Sequence, residues 1–148
     1  MEDAMKFFYI IALLAATLIS TGAFAEDKLS PQEESILNEC NLAARNSLVN
    51  ADVRAVEDAC TKAIKEIGKS HPDKDYMIDP MLNLAFTYSL GGYYDRADPL
   101  LKRAKEIGQK VYKPGSKELK AIEDFIKDQK HRRDNPQQFN NSAVKSPH

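Results

Sequence analysis

Residues 83–108, NLAFTYSLGGYYDRADPLLKRAKEIG, decide the fold of this chain. Apolar and small side chains recur every three or four residues on both sides of the Gly91-Gly92 pair. The first stripe is Met81, Leu84, Ala85 and Tyr88, and the second is Tyr94, Ala97, Leu101 and Ala104, with Leu100 and Ile107 beside it. This period is typical of amphipathic helices. Because glycine readily adopts the left-handed backbone that ends a helix, the stretch predicts two helices joined by a tight turn.

The same residues resemble a tetratricopeptide (TPR) repeat of the long subtype found in kinesin light chains. The family pattern of Leu-Ala, Tyr, Gly, Tyr, Ala and Ala falls on Leu84, Ala85, Tyr88, Gly92, Tyr94, Ala97 and Ala104. The long subtype adds an Asn, here Asn83, and a Pro-Leu-Leu-Lys-Arg-Ala run, here residues 99–104. The resemblance implies a right-handed α-solenoid of antiparallel helix hairpins that acts by binding a protein or peptide partner.

An internal repeat predicts a second hairpin. Asn-Leu-Ala occurs at residues 41–43 and 83–85, and Lys-Glu-Ile-Gly occurs at residues 65–68 and 105–108. A period of about 41 residues lies in the range of repeat architectures. Ser116 then begins a further helix, whose single apolar stripe of Leu119, Ile122, Phe125 and Ile126 suits a lid on the last repeat. We therefore predict an all-α fold: about two antiparallel TPR-like hairpins and a C-terminal capping helix at residues 26–131, then a disordered tail at 132–148.

The first hairpin has its own start and stop signals. Ser30, Pro31 and Glu33 form a capping box before a helix that should run to about Val49. Its inner face would carry Leu37, Cys40, Ala44 and Leu48. Asp52 would cap a second helix and Gly68 would end it, with an inner face of Val53, Val56, Cys60, Ala63, Ile64 and Ile67. Asp79 and Pro80 would begin the third helix, and residues 114–116 would end the fourth.

Residues 5–25, MKFFYIIALLAATLISTGAFA, have the features of a secretory signal peptide. One Lys precedes an apolar run at residues 7–19, and Ala23, Phe24 and Ala25 form a small-x-small cleavage site. The alternative is a membrane anchor, but the run is shorter than the ~20 residues that span a bilayer. We predict a signal peptide at residues 1–25 cleaved after Ala25, no membrane span in the mature chain, and a periplasmic or secreted location.

Charge is unevenly distributed along the mature chain. Residues 26–79 contain 12 acidic and 7 basic side chains, whereas residues 102–133 contain 5 acidic and 11 basic ones. The basic half could attract acidic partners or membrane surfaces, and the alternative is a solvated charged face. Nucleic acid is not an expected partner, because the basic stretch lacks interleaved aromatic residues.

The two cysteines, Cys40 and Cys60, both lie in the mature chain. They fall on two predicted antiparallel helices at similar distances from the turn near Asn50, so their side chains should face each other. Export places them in an oxidising compartment, and we predict a disulfide bond that stabilises the fold by roughly 3 kcal/mol. The alternative is a pair of buried thiols that pack as small apolar groups. Their spacing is unlike that of a redox-active Cys-x-x-Cys pair.

The sequence predicts no enzyme, cofactor or metal site. The histidines, His71, His131 and His148, have no ligand-spaced partners. The chain lacks a Gly-x-Ser-x-Gly elbow, a phosphate-binding glycine loop and a His-Glu-x-x-His motif. What remains is a surface for a protein or peptide partner of unknown identity.

In TPR proteins the first helix of each hairpin lines a concave groove. In the family that this chain resembles, groove asparagines hold the backbone of an extended peptide, and the resemblance gives that role to Asn83 and Asn41. Helical spacing adds further partner-binding candidates on the same face: Arg45, Phe86, Ser89 and Leu90. The alternative is that Asn83 is an ordinary surface residue and that Phe86 packs on the first repeat or on a second copy.

Two functions are consistent with these features. The first is an exported protein-interaction module that binds a peptide or protein through its concave helix face. The second is a self-associating structural subunit of a cell-envelope complex, because two repeats are fewer than the three that usually make a stable stack.

Overall fold

A computed structural model of the protein describes residues 28–136. Within this range the chain forms five α-helices and one short 3₁₀ helix at Asp75–Met77. The α-helices are α1 (Pro31–Asn50), α2 (Val53–Ser70), α3 (Ile78–Leu90), α4 (Tyr94–Val111) and α5 (Lys117–Asp134). The predicted all-α fold is confirmed for this part of the chain. The predicted signal peptide, its cleavage site after Ala25 and the tail beyond residue 136 lie outside the described residues.

The helices pack in chain order. Helix α1 packs on α2, α3 packs on α4, and α3 also contacts both α1 and α2, so that the second pair of helices lies on the first. Helix α5 packs mainly on α4. Small and β-branched side chains fill the centre, where they are fully buried: Cys40, Val56, Cys60, Ala63, Ile67, Ala85, Ala97, Ala104 and Ile107. The small side chains of Ala85, Ala97 and Ala104 are fully buried at these contacts, where they let the helix backbones approach closely.

The helix starts at Ser30, Asp52 and Ser116 agree with the capping signals in the sequence. The Ser30 hydroxyl accepts a hydrogen bond from the Glu33 amide, and the Glu33 carboxylate accepts one from the Ser30 amide at 2.8 Å. Asp52 accepts from the Ala55 amide at 3.0 Å. Ser116 accepts from the Leu119 amide at 3.2 Å. These bonds satisfy amide groups that a helix start leaves free.

The predicted disulfide bond is confirmed. Cys40 of α1 and Cys60 of α2 are joined by an S–S bond of 2.08 Å, and both residues are fully buried. The bond crosses the middle of the first helix pair and ties its two helices together covalently. A buried disulfide is compatible with an oxidising compartment outside the cytosol.

Both copies of the Lys-Glu-Ile-Gly sequence lie inside a helix. The prediction that Gly68 ends α2 is wrong, because α2 continues to Ser70. Helix α4 also continues past its glycine, Gly108, but it ends at Val111, before the predicted stop at 114–116. A Cβ atom on Gly108 would lie 2.8 Å from Cδ1 of Ile122, and one on Gly68 would lie 3.3 Å from Cε of Met77. The repeated glycine therefore marks a position where the next element packs closely on the helix.

Three other details differ from the prediction. Leu48 and Val53 are not on an inner face: these residues are 70% and 43% exposed and flank the α1–α2 turn. Helix α3 begins at Ile78, directly after the 3₁₀ helix, and Pro80 is buried in its first turn. Helix α5 continues to Asp134, so the first residues of the predicted disordered tail are helical.

Candidate functional site

Two asparagines from different helices meet on the face that α1 shares with α3. Asn83 of α3 donates through Nδ2 to Oδ1 of Asn41 at 3.1 Å, and both side chains are half-buried. The remaining amide atoms of the pair are Oδ1 of Asn83 and Nδ2 of Asn41, and neither has a hydrogen-bond partner within residues 28–136. The pair therefore offers one amide acceptor and one amide donor to a ligand. If oxygen and nitrogen were exchanged in both side chains, the pair would still present one donor and one acceptor.

A groove of about 340 Å³ lies beside this pair. We call it the amide groove; it is lined by Asn41, Ala44, Arg45, Leu48, Asp79 and Asn83. Arg45 is exposed here and forms no ion pair with any residue that the structure describes. The structure thus brings together three of the six predicted site residues, namely Asn41, Arg45 and Asn83.

A larger cleft of about 500 Å³ continues from the amide groove, with Asp79 on the wall of both. We call it the acidic cleft. Its apolar lining comes from α1, α3 and α5: Leu37, Ile78, Leu82, Ala121, Ile122 and Phe125. Its polar lining consists of Asp75, Tyr76, Asp79, Tyr112 and Glu118. An apolar cleft with a few polar groups on its rim is the usual form of a binding site.

The acidic cleft carries uncompensated negative charge. Asp75, Asp79 and Glu118 form no ion pair within residues 28–136. Burial of the Tyr112 hydroxyl raises the pKa of that group, and the three carboxylates raise it further. The contribution of the three carboxylates to this shift, rather than that of burial, reflects a negative potential in the cleft, which favours a cationic ligand.

Two carboxylates elsewhere in the described part of the chain are held by cations from other helices. Glu57 of α2 accepts hydrogen bonds from Tyr88 and Arg96, and the Arg96 guanidinium lies 4.0 Å from the centre of the Tyr88 ring. The bond from Arg96, followed by the bond from Tyr88, lowers the pKa of Glu57. Asp73, between α2 and α3, is held by Lys110 at 2.9 Å and by Arg103. These clusters tie helices together, whereas the carboxylates of the acidic cleft have no such role.

The other three predicted site residues lie away from the amide groove. Phe86 is half-buried and packs on Phe125 of α5, with ring centres 6.3 Å apart. The Ser89 hydroxyl is buried and donates to the carbonyl oxygen of Ala85 at 2.9 Å. Leu90 is exposed at the end of α3.

Sequence reasoning missed the residues of the acidic cleft. Asp79 and Glu118 lie in the first turns of α3 and α5, and Asp75 begins the 3₁₀ helix. Acidic residues at helix starts are common, because they interact favourably with the helix dipole. The sequence could have revealed these residues through one signal: acidic residues begin neighbouring helices, and the starts of these helices lie at the same end of the fold.

Within residues 28–136 no helix is both long and apolar enough to cross a membrane. Over the same range there is no group of three or more His, Cys, Asp and Glu side chains that could hold a metal ion. Comparisons with protein-family models, curated proteins and solved structures give no match to this chain.

Proposed function

We propose that this protein is a TPR-like interaction module, without enzymatic activity, that holds an extended peptide segment of a partner in the amide groove. The observation that carries the proposal is the Asn41–Asn83 pair, in which one donor and one acceptor have no partner among the residues that the structure describes. In an extended chain the N–H and C=O of one residue point to the same side and can match this donor and acceptor. Binding through backbone groups gives affinity without specifying side chains.

The acidic cleft supplies selectivity in this proposal. Its apolar lining suits one apolar side chain of the peptide, and the carboxylates of Asp75, Asp79 and Glu118 suit a neighbouring Lys or Arg. Because Asp79 borders both the amide groove and the acidic cleft, one extended peptide can occupy the two together. The preferred ligand is therefore a basic segment with an apolar anchor.

A peptide-display selection tests this proposal directly. The full chain is the bait, and random peptides compete with versions in which Lys and Arg are replaced by Glu. We expect the bound pool to be enriched in apolar residues next to Lys or Arg. Neutralising the cleft with Asp75→Asn, Asp79→Asn and Glu118→Gln should abolish that enrichment, whereas Glu34→Gln, an exposed acid on α1, should leave it unchanged.

A single-site comparison then tests the role of the amide pair. Asn83→Ala removes one neutral hydrogen bond to the peptide and the bond that orients Asn41, so the affinity should fall about tenfold. Asn46→Ala changes an exposed asparagine elsewhere on α1 and should have no effect. Equal affinities of the two variants, with unchanged thermal unfolding, would rule out the amide groove as the peptide site.

Exposed apolar side chains favour a second candidate, self-association as a structural subunit. Leu48 and Val49 at the α1–α2 turn are 70% and 91% exposed, and Leu90 and Tyr93 flank the α3–α4 turn. The two turns lie at the same end of the fold, since Glu57 near one contacts Tyr88 near the other. Such a patch is typical of an interaction surface.

Sedimentation of the full chain at increasing concentration tests self-association. We expect Val49→Lys to shift the protein towards monomer, and Leu42→Lys, which alters an exposed leucine in the middle of α1, to have no effect. A wild-type chain that stays monomeric at all concentrations would exclude this candidate.

We also propose that the protein works outside the cytosol, with the leader removed after Ala25. The proposal is supported by the features of residues 5–25 and by the disulfide bond between Cys40 and Cys60. Mass determination of the protein released by an exporting host tests it. The expected mature chain begins at Glu26, and an uncleaved chain in the cytosol would contradict the proposal.

A further inference from the structure

A second cleft, of about 380 Å³, lies between α4 and the C-terminal half of α5. It shares no lining residue with the amide groove or the acidic cleft. Leu101 and Ile126 supply an apolar floor, and Tyr94 borders it. Its residues on α5 lie at intervals of three and four: Ile126, Gln129, Lys130 and Arg133. We call it the α4–α5 cleft.

Gln129 is the unusual residue of the α4–α5 cleft. Its side chain is only 3% exposed, and its Oε1 atom is buried without a hydrogen-bond partner within residues 28–136. Its Nε2 atom lies 3.5 Å from a carboxylate oxygen of Asp128. A buried, unpaired amide oxygen is costly and calls for an explanation, such as a bound water, an ion or a ligand. Less than 1 Å² of Oε1 is accessible, so the amide must turn towards the cleft to accept a hydrogen bond from a ligand there.

The rim of the α4–α5 cleft is positively charged. Lys102 and Lys130 are exposed on opposite helices, and neither forms an ion pair with any residue between 28 and 136. The other cations of the rim are engaged, since Lys105 lies 3.5 Å from Glu123 and Arg133 lies 2.9 Å from Asp98. The two free lysines suit one anionic group at the mouth of the cleft.

We propose that the α4–α5 cleft binds a small amphipathic carboxylate with an amide N–H next to its acid group, as in an N-acyl amino acid. The acyl chain covers Leu101 and Ile126, the amide N–H donates to Oε1 of Gln129, and the carboxylate lies between Lys102 and Lys130. This site is separate from the proposed peptide-binding face, and neither proposal depends on the other.

The ligand chemistry can be separated into its parts with three related compounds. N-octanoylglycine has the acyl chain, the N–H and the carboxylate; octanoate lacks the whole glycine unit with its N–H, and N-octanoylglycine methyl ester lacks the charge. Titration into the full chain, below micelle-forming concentrations, is followed by calorimetry and by the methyl resonances of Leu101 and Ile126. We expect saturable binding of N-octanoylglycine, with octanoate about fivefold weaker and the ester at least tenfold weaker.

Two variants with matched controls test the residue roles. Gln129→Leu removes the acceptor, so it should weaken N-octanoylglycine about fivefold while leaving octanoate unchanged. Gln109→Leu, at an exposed position of α4, should change neither affinity. Replacing Lys102 and Lys130 by Gln should remove the advantage of N-octanoylglycine over its ester, whereas Lys120→Gln, on an exposed part of α5, should preserve it.

Three results would overturn the proposal. The first is no saturable binding of N-octanoylglycine, and the second is shifts confined to methyl groups outside the α4–α5 cleft. The third is equal weakening of N-octanoylglycine and octanoate by Gln129→Leu, which would mean that Gln129 acts only through the shape of the cleft.

Discussion

The close contact at Gly108 makes a quantitative prediction about stability. Alanine at this position would put Cβ 2.8 Å from Cδ1 of Ile122 and 3.4 Å from Cδ1 of Leu119. Non-bonded carbon atoms are at their optimum about 3.5–4.0 Å apart, so α5 or its side chains must move. Overpacking of this kind costs about 1–3 kcal/mol, and the better helix propensity of alanine recovers about 1 kcal/mol. We expect Gly108→Ala to lower the free energy of unfolding by about 1 kcal/mol.

The first copy of the repeated sequence provides the control. Gly68 follows the same Lys-Glu-Ile sequence, but the atom nearest to an alanine methyl group at this position would be the flexible Cε of Met77, at 3.3 Å. That side chain can yield, so Gly68→Ala should keep most of the helix-propensity gain of about 1 kcal/mol. The two variants should therefore differ by about 2 kcal/mol in the free energy of unfolding, although both replace a glycine by alanine.

Urea unfolding of the disulfide-bonded protein, followed by circular dichroism, measures this difference. The slope of the free energy against urea should stay constant, so that the midpoint alone reports stability. Ile122→Val removes the Cδ1 atom that meets the new methyl group, so it should cost less in the Gly108→Ala background than in the wild type. Equal stabilisation by Gly68→Ala and Gly108→Ala would refute the packing role of Gly108.

Three further predictions concern the disulfide bond, a carboxylate and the buried amide. Replacing Cys40 and Cys60 by serine should lower the free energy of unfolding by about 3 kcal/mol in urea titrations; no change in the urea midpoint would contradict this. Hydrogen bonds from the Ser70 hydroxyl, then from Ser30, lower the pKa of Glu33 from 4.5 to about 2. Because the pKa of Glu33 is lower in the folded than in the unfolded chain, Glu33 stabilises the fold above pH 4.5 and loses this effect as the pH falls towards 2. The difference in the free energy of unfolding between the wild type and Glu33→Gln should therefore shrink over that range. A difference that stays constant would exclude a contribution of the Glu33 ionisation to stability. Gln129→Leu should raise the melting temperature, because it removes a buried unpaired oxygen; a lower melting temperature would mean that the amide supports the fold.

Much of the fold could be predicted because its signals are local. The capping residues Ser30, Asp52 and Ser116 begin their helices as expected, because a side-chain oxygen needs only amides within the next three residues. The pairing of Cys40 with Cys60 followed from two helices and a short turn. The candidate site was predicted in part, since Asn41, Arg45 and Asn83 meet in the amide groove.

The structure was needed wherever identical local sequences have different surroundings. Leu42 and Leu84 occupy the same place in the Asn-Leu-Ala repeat, yet Leu42 is 58% exposed and Leu84 is 4% exposed. Helix α3 packs on α1, α2 and α4, whereas α1 packs on α2 and α3 alone among the described helices. The two repeated glycines likewise differ in what packs on them.

Most helix starts and the disulfide bond follow from the sequence alone, since periodicity, capping and cysteine spacing act over a few residues or one hairpin. Which side chains form the clefts depends on how the helices pack. Asp75, Asp79 and Glu118 belong to three elements, and Gln129 lies on a helix whose neighbours are far away in the sequence. Whether these polar groups are paired depends on how helices stack, because burial and convergence are properties of packing between distant segments.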